Sequence, residues 1–125
     1  MLLDTSVFID FLREHGPVMD AFEKALRGQS ASVVAKLELI AGLKYKKDIK
    51  SIENLFKDLQ IEQISVTEEI SDVAEKILKN YYHSHGIGIL DCFVAATALV
   101  YDEELVTSNM KHFDFIPKLK IIKPY

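Results

Sequence analysis

A chain of 125 residues, 49% hydrophobic and 27% charged, is long enough to bury one core, so we expect residues 1–125 to form a single domain. The net charge of −4 argues against a protein that coats nucleic acid by neutralising many phosphates. The single cysteine, Cys92, excludes an intramolecular disulfide and a zinc site built from several thiolates of one chain.

An apolar, strand-like segment begins at Met1, with no basic and apolar leader ahead of it. The apolar runs further along the chain are too short to cross a bilayer. We therefore expect a cytoplasmic protein with no membrane partner.

Short apolar runs rich in β-branched residues alternate along the chain with longer segments of helical period. The predicted strands are Met1–Leu3, Ala31–Val34, Ile61–Ile64, Leu105–Thr107 and Lys120–Ile122. The predicted helices are Val7–Glu14, Val18–Leu26, Lys36–Tyr45, Ile49–Leu59, Glu68–His83 and Asp91–Tyr101. This alternation predicts an α/β fold, a three-layer α/β/α sandwich around a central, mainly parallel sheet of about five strands.

Signals at the ends of the last two helices add detail. Thr67 is a favourable start for the helix that follows, because Glu68 and Glu69 then face the positive end of the helix dipole. The segment from His83 to Gly88 is predicted to be a loop. Asp91 then opens a helix that is apolar on nearly every side, which indicates burial against the sheet.

Three acids stand where an apolar run meets a polar turn: Asp4, Glu38 and Asp91. An unpaired charge at the edge of a core is costly, so each needs hydrogen bonds, a cation or both. If the three converge, their mutual repulsion would keep at least one protonated near neutral pH unless a cation neutralises them. Carboxylate oxygens favour a hard cation, which points to Mg²⁺ or Mn²⁺.

Each of these acids also has a structural interpretation. Asp4 lies between a strand and a helix, where it is suited to cap the helix or to line the ligand crevice of an open sheet. Asp91 is suited to cap its own helix, and a capping carboxylate can still bind a metal. Glu38 would need a hydroxyl residue three positions earlier for a capping box, and Ala35 stands there, which favours a polar pocket.

The histidines and tyrosines give weaker signals. His83 and His85 are two residues apart and would not share one helix face, so we interpret them as surface residues and not as a metal site. Tyr81, Tyr82 and Tyr101 are interpreted as packing residues and not as platforms for stacked bases.

The polar segments, taken in order, resemble those of the PIN-domain ribonucleases, most closely the small VapC-type toxins of VapBC toxin–antitoxin pairs. The matching segments are Leu3–Ser6 with Phe8 and Ile9, Ser32–Gly42, Leu90–Ala98 and Leu105–Phe113. Any one of them would be a weak signal. Four in the same order, spread nearly end to end over the chain, make the resemblance specific.

The resemblance implies a Mg²⁺-dependent endoribonuclease, with Mn²⁺ as a substitute, that acts as the toxin of a type II toxin–antitoxin system. It implies as partners an RNA substrate, an antitoxin of the VapB type and a second copy of the chain in a homodimer. The site residues it implies are Asp4, Glu38 and Asp91 as metal ligands, the same three with Asn109 as catalytic residues, and Thr5, Ser6 and Thr107 as contacts to the substrate.

The last segment departs from the family pattern, because many relatives carry Asp or Glu where this chain has His112. Asn109, whose side-chain carbonyl can bind a metal or a water, is the better fourth residue, and Asp114 is a weaker one. The missing acid leaves open a second interpretation, a PIN-like module that has lost catalysis and binds RNA or protein. A metal-dependent phosphatase fits less well, because Ser6 stands where its second Asp is expected.

Overall fold

The computed structural model describes residues 1–13 and 18–124, so the predicted end of the first helix at Glu14 lies outside the described residues. In these ranges the five strands are β1 Leu2–Leu3, β2 Ser30–Ser32, β3 Glu62–Ile64, β4 Leu105–Val106 and β5 Ile121–Ile122. The six α-helices are α1 Thr5–Arg13, α2 Val18–Leu26, α3 Val33–Ala41, α4 Ile49–Asp58, α5 Glu68–His85 and α6 Ile89–Val100. Two short 3-10 helices are Lys46–Asp48 and Met110–His112. No helix in this part of the chain is both long and apolar enough to cross a membrane.

Neighbouring strands of the sheet run parallel, in the order β3-β2-β1-β4-β5. The chain adds β2 and β3 on one side of β1 and then crosses over to add β4 and β5 on the other. The winding therefore changes direction between β1 and β4, where open α/β sheets form a crevice beyond the carboxyl ends of their strands. Asp4 follows β1 and Thr107 follows β4, so both stand at this crevice.

Successive residues of the short strands face opposite sides of the sheet, and each side has its own core. Leu2 and Leu105 pack with α5 and α6, whereas Leu3 and Val106 pack with residues of α1 to α4. Helices thus cover both faces, which explains why β1 and β4 are apolar on both sides. The predicted three-layer α/β/α sandwich with a five-stranded parallel sheet is confirmed.

The boundary between β2 and α3 differs from the prediction. The strand predicted at Ala31–Val34 ends at Ser32, and α3 begins at Val33 instead of Lys36. The reason is a cap: the Ser32 hydroxyl accepts a hydrogen bond from the backbone N–H of Val34 at 3.1 Å. The two valines favour a strand by propensity, but the serine cap decides their conformation.

The end of α5 also differs. The helix begins as predicted, with the Thr67 hydroxyl accepting the backbone N–H of Ile70 at 3.2 Å. It then continues through the predicted loop to His85 and stops at Gly86, whose φ of 65° is the left-handed conformation that glycine adopts easily. The loop that begins at His83 in the prediction is therefore much shorter.

The start of α6 places Asp91 differently from the prediction. The helix begins at Ile89 after Gly88, which occupies the capping position in an extended conformation. The helix begins two residues before the predicted start at Asp91, so the alternative interpretation of Asp91 as its cap does not hold. Asp91 lies in the first turn, where a carboxylate still benefits from the helix dipole while its oxygens remain available to other groups.

Candidate active site

An open pocket of about 620 Å³ occupies the crevice beyond β1 and β4. Six of the residues predicted from the sequence line it: Asp4, Thr5, Ser6, Glu38, Asp91 and Asn109. They come from the start of α1, from α3, from α6 and from the segment after β4, so distant parts of the chain meet at one place. Asp114 is exposed and lies outside the lining of this pocket, which does not favour it as the fourth residue.

Asp4 is the most enclosed acid of the pocket, with 4% of its surface exposed. Its backbone N–H donates to the carbonyl of Val106 at 2.9 Å, which fixes the residue at the end of the sheet. One carboxylate oxygen, Oδ2, accepts hydrogen bonds from the hydroxyls of Ser6 at 3.0 Å and Thr107 at 2.8 Å. These contacts orient the carboxylate at the floor of the pocket.

The Thr107 side chain lies beneath the pocket and is fully buried, at 0% exposure. Its hydroxyl donates to Asp4 and accepts the backbone N–H of Asn109 at 3.0 Å. Burial and two internal hydrogen bonds do not fit the predicted contact between Thr107 and a substrate. They indicate instead that Thr107 positions Asp4 and the segment that carries Asn109.

Ser6 plays a similar part from α1. Its hydroxyl donates to Asp4 and accepts the backbone N–H of Ser108 at 3.1 Å. Ser6 is half-buried and lines the pocket, so it remains close enough to a ligand for the predicted contact.

Glu38 reaches the pocket from α3, and the Thr5 hydroxyl donates to its Oε1 at 3.1 Å. Because α3 is capped by Ser32, six residues earlier, Glu38 does not belong to a capping box. Burial raises the pKa of Glu38; the Thr5 hydrogen bond opposes this rise, and the charges of Asp4 and Asp91 add to it. Glu38 thus lies within the electrostatic reach of both other acids.

Asp91 is paired with a residue that the sequence did not indicate as a partner. Its Oδ2 lies 3.2 Å from Nδ1 of His112, which also lines the pocket. Burial raises the pKa of Asp91, the charge of Asp4 raises it further, and His112 acts in the opposite direction. His112 stands where the resemblance leads one to expect an acid, and that departure was the one signal in the sequence that could have singled it out.

One face of α1 adds three residues to the pocket that were not predicted from the sequence, Ile9, Asp10 and Arg13. Ser6, Ile9, Asp10 and Arg13 all line it, at the spacing of a single helix face. The Ser108 hydroxyl donates to the carboxylate of Asp10, which joins this helix to the segment after β4. The helical spacing from Ser6 was a usable signal for Asp10 and Arg13.

The oxygen-rich lining is compatible with a hard divalent cation. The pKa of Glu38 and of Asp91 is raised, so their ionised forms carry a cost that a nearby positive charge would relieve. No three His, Cys, Asp or Glu side chains among the described residues stand as a ready-made metal cluster. Mg²⁺ does not require one, because it usually keeps several waters and binds one or two carboxylates together with substrate phosphates.

Comparison with known proteins places this geometry in a family. The PIN domain family matches residues 1–118 of the chain. Ribonuclease VapC19 of Mycobacterium tuberculosis is 32% identical over 123 residues, which cover 95% of this chain and 96% of that protein. Ribonuclease VapC1 of Methanocaldococcus jannaschii is 31% identical over 116 residues, covering 91% of this chain and 79% of that protein.

A solved structure agrees with these sequence matches. VapBC-1 from nontypeable Haemophilus influenzae superposes with a TM-score of 0.78 at 26% identity, over 98% of this chain and 96% of that chain. The sheet order, the pocket at its switch point and the likeness over almost the whole length agree with one another. The chain therefore belongs to the PIN domain family and, within it, groups with the VapC proteins.

Proposed function

We propose that the protein is a metal-dependent endoribonuclease that hydrolyses RNA phosphodiester bonds as the toxin of a type II toxin–antitoxin system. The observation that carries the proposal is the convergence of Asp4, Glu38 and Asp91 on one pocket. There the charges of Asp4 and Asp91 help to raise the pKa of Glu38, and the charge of Asp4 helps to raise the pKa of Asp91. Relatives named as VapC ribonucleases, which align over nearly the whole chain, support the reaction class.

The residues of the pocket divide into cation ligands and the groups that hold them. Asp4, Glu38 and Asp91 would hold Mg²⁺, or Mn²⁺ in its place, directly or through its waters. The cation, when bound, supplies activation of a water and neutralises charge that builds on the scissile phosphate.

The chain's own hydrogen bonds keep these carboxylates in place. The hydroxyls of Ser6 and Thr107 orient Asp4, and the Thr5 hydroxyl orients Glu38. His112 steadies Asp91 from the side of the segment after β4. Asn109, which lines the pocket, would bind a water or the phosphate. Thr5 and Ser6 lie where α1 begins, so the positive end of the helix dipole would face a bound phosphate.

Cleavage of a mixed RNA pool by the purified protein tests the proposed function. We expect internal cuts in Mg²⁺ or Mn²⁺ that disappear in EDTA and in Asp4→Ala, because both changes remove cation binding. The products are read on a denaturing gel, and folding of the variant is verified by circular dichroism. Equal cutting by Asp4→Ala would mean that a contaminant or another site does the chemistry. No cutting by a folded, inhibitor-free preparation would favour the PIN-like binding module.

The pocket is also suited to a protein inhibitor of the VapB type. Its carboxylates would pair bidentately with an inserted arginine, and the exposed side chains of Ile9, Ile89 and Leu90 border the acidic floor. The likeness to VapBC-1 of Haemophilus influenzae supports such a partner here. We expect the cognate antitoxin to abolish cleavage.

We expect the toxin alone to elute as a homodimer in size-exclusion chromatography with light scattering. A monomer at micromolar concentration would contradict the homodimer.

A further inference from the structure

A second cavity, of about 360 Å³, adjoins the first across Asp91. The two cavities share Gly88, Asp91 and His112 as lining, so a ligand that passes Asp91 can reach both. The second cavity differs in chemistry from the acid-lined first one. The basic and aromatic side chains in its lining are His85, Lys111, His112 and Phe115.

His85 and Phe115 form a stacked pair at the wall of this cavity. Their ring centroids are 4.1 Å apart and the ring planes differ by 18°. Phe115 is anchored, because it is half-buried and packs on the core that contains α5 and α6. Its ring also packs against the ring of Tyr81, with the two ring centroids 5.3 Å apart. His85 is exposed, so a large part of the imidazole ring remains open to solvent.

The orientation of the His85 ring is fixed by three neighbours. Tyr81 meets the ring edge to face, with the ring centroids 5.8 Å apart. Phe115 supports one face, and the Ser84 hydroxyl lies 2.7 Å from Nδ1 of His85, within hydrogen-bond distance. A ring that is already held loses little freedom when a ligand stacks on it, and this preorganisation favours binding. The feature is therefore a flat, supported aromatic surface facing solvent next to the candidate active site.

Lys111 adds a positive charge to the same cavity. It lies in the 3-10 helix Met110–His112, next to the residue that contacts Asp91. A lysine ammonium on a flexible stem is a common contact for a phosphate. Proteins that hold single-stranded nucleic acid combine these two elements, a positive groove for the backbone and an aromatic face for the bases.

We propose that the second cavity binds a nucleotide of single-stranded RNA adjacent to the bond that is cut. Its base stacks on His85, and a neighbouring phosphate contacts Lys111. The ligand is an unpaired nucleotide, because only an unstacked base exposes both of its faces. This inference rests on the proposed function, since its ligand is the RNA substrate.

Binding of a short, fluorescently labelled single-stranded RNA, measured by anisotropy in EDTA, tests the proposal without hydrolysis. His85→Ala is expected to weaken binding about tenfold, because the stacking surface is lost. His85→Phe is expected to bind nearly as tightly as the wild type, because an aromatic ring remains. A purely structural role for the imidazole nitrogen would instead make both variants equally weak.

Lys111→Ala is expected to weaken binding and to lower the slope of log K against log salt by about 0.7, the contribution of one phosphate on a single strand. Lys76→Ala is the matched control: it removes the same charge from an exposed lysine of α5 that does not line the cavity. We expect it to leave the affinity and the salt slope nearly unchanged.

The outcomes separate this proposal from the proposed function. If the wild type cuts RNA in Mg²⁺ but His85→Ala and Lys111→Ala bind RNA as the wild type does, the nucleotide site is wrong and the ribonuclease stands. If these two variants bind RNA normally but bind the antitoxin more weakly, the cavity belongs to a protein partner, and the nucleotide site is again wrong. If the wild type neither binds nor cuts RNA, both proposals fail.

Discussion

Asp91→Asn is expected to lower metal-dependent RNA cleavage by about 100-fold or more while the protein stays folded. The amide keeps the size of the side chain and can still contact His112, whose Nδ1 lies 3.2 Å from Oδ2 in the wild type. It lacks the negative charge that attracts a divalent cation. The measurement is the initial rate of cleavage of one RNA in Mg²⁺, together with a thermal melt of each protein.

Asp102→Asn is the matched control for this experiment. The Asp102 side chain is 91% exposed, and the residue lies in the turn after α6 with a left-handed φ of 51° that asparagine also tolerates. The chemical change is the same, but it is made outside the pocket, so cleavage should stay at the wild-type rate. Wild-type cleavage by Asp91→Asn would contradict the assignment of Asp91 as a ligand of the cation.

Asp91→Asn is also expected to change the stability of the folded protein. Burial and the charge of Asp4 raise the folded-state pKa of Asp91 above its ordinary value of 3.8. As the pH rises above 3.8, the unfolded chain loses this proton before the folded one does, so ionisation of Asp91 lowers the free energy of unfolding. Without metal, Asp91→Asn should therefore melt at a higher temperature than the wild type at pH 7, about 3 units above that value, and the difference should shrink toward the acidic end.

Most of the fold could be predicted from the sequence, because the short apolar runs and the helical periods are strong local signals. The boundaries that were misplaced depend on single contacts. Ser32 ends β2 by capping α3, and a strand propensity at Val33 and Val34 gives no warning of this. Gly86 sets the end of α5, and Gly88 caps the start of α6, so Asp91 lies in the first turn and not at the predicted start of the helix.

The three acids could be picked out because each stands at the edge of an apolar segment, where a charge needs an explanation. What the sequence could not give is which groups hold them. The His112 contact joins residues 21 positions apart, and the Thr107 contact to Asp4 joins residues 103 positions apart. The parallel pairing of β1 with β4 brings Thr107 to Asp4, and no periodicity within one segment predicts either contact.

Thr107→Val is expected to show how much the site depends on one buried hydroxyl. Valine has nearly the same shape, so packing in the fully buried position is kept. Asp4 loses a 2.8 Å hydrogen bond and the backbone N–H of Asn109 loses its 3.0 Å acceptor. We expect a loss of about 1–3 kcal/mol in the free energy of unfolding, from the unsatisfied groups, and a fall in cleavage of about 10- to 100-fold, as for groups that orient metal ligands.

Thr97→Val separates the role of this hydroxyl from the general effect of removing one. Thr97 is as buried as Thr107, but its hydroxyl donates to the carbonyl of Phe93 within α6, at 2.7 Å. That carbonyl keeps its place in the helix ladder when the hydroxyl is removed, so stability should change little and cleavage should stay at the wild-type rate. If Thr107→Val loses stability but cleaves as fast as the wild type in excess Mg²⁺, Asp4 needs no help from Thr107 to bind the cation. A loss of cleavage that excess Mg²⁺ partly restores would show that this hydroxyl acts by holding Asp4 in a geometry that binds metal.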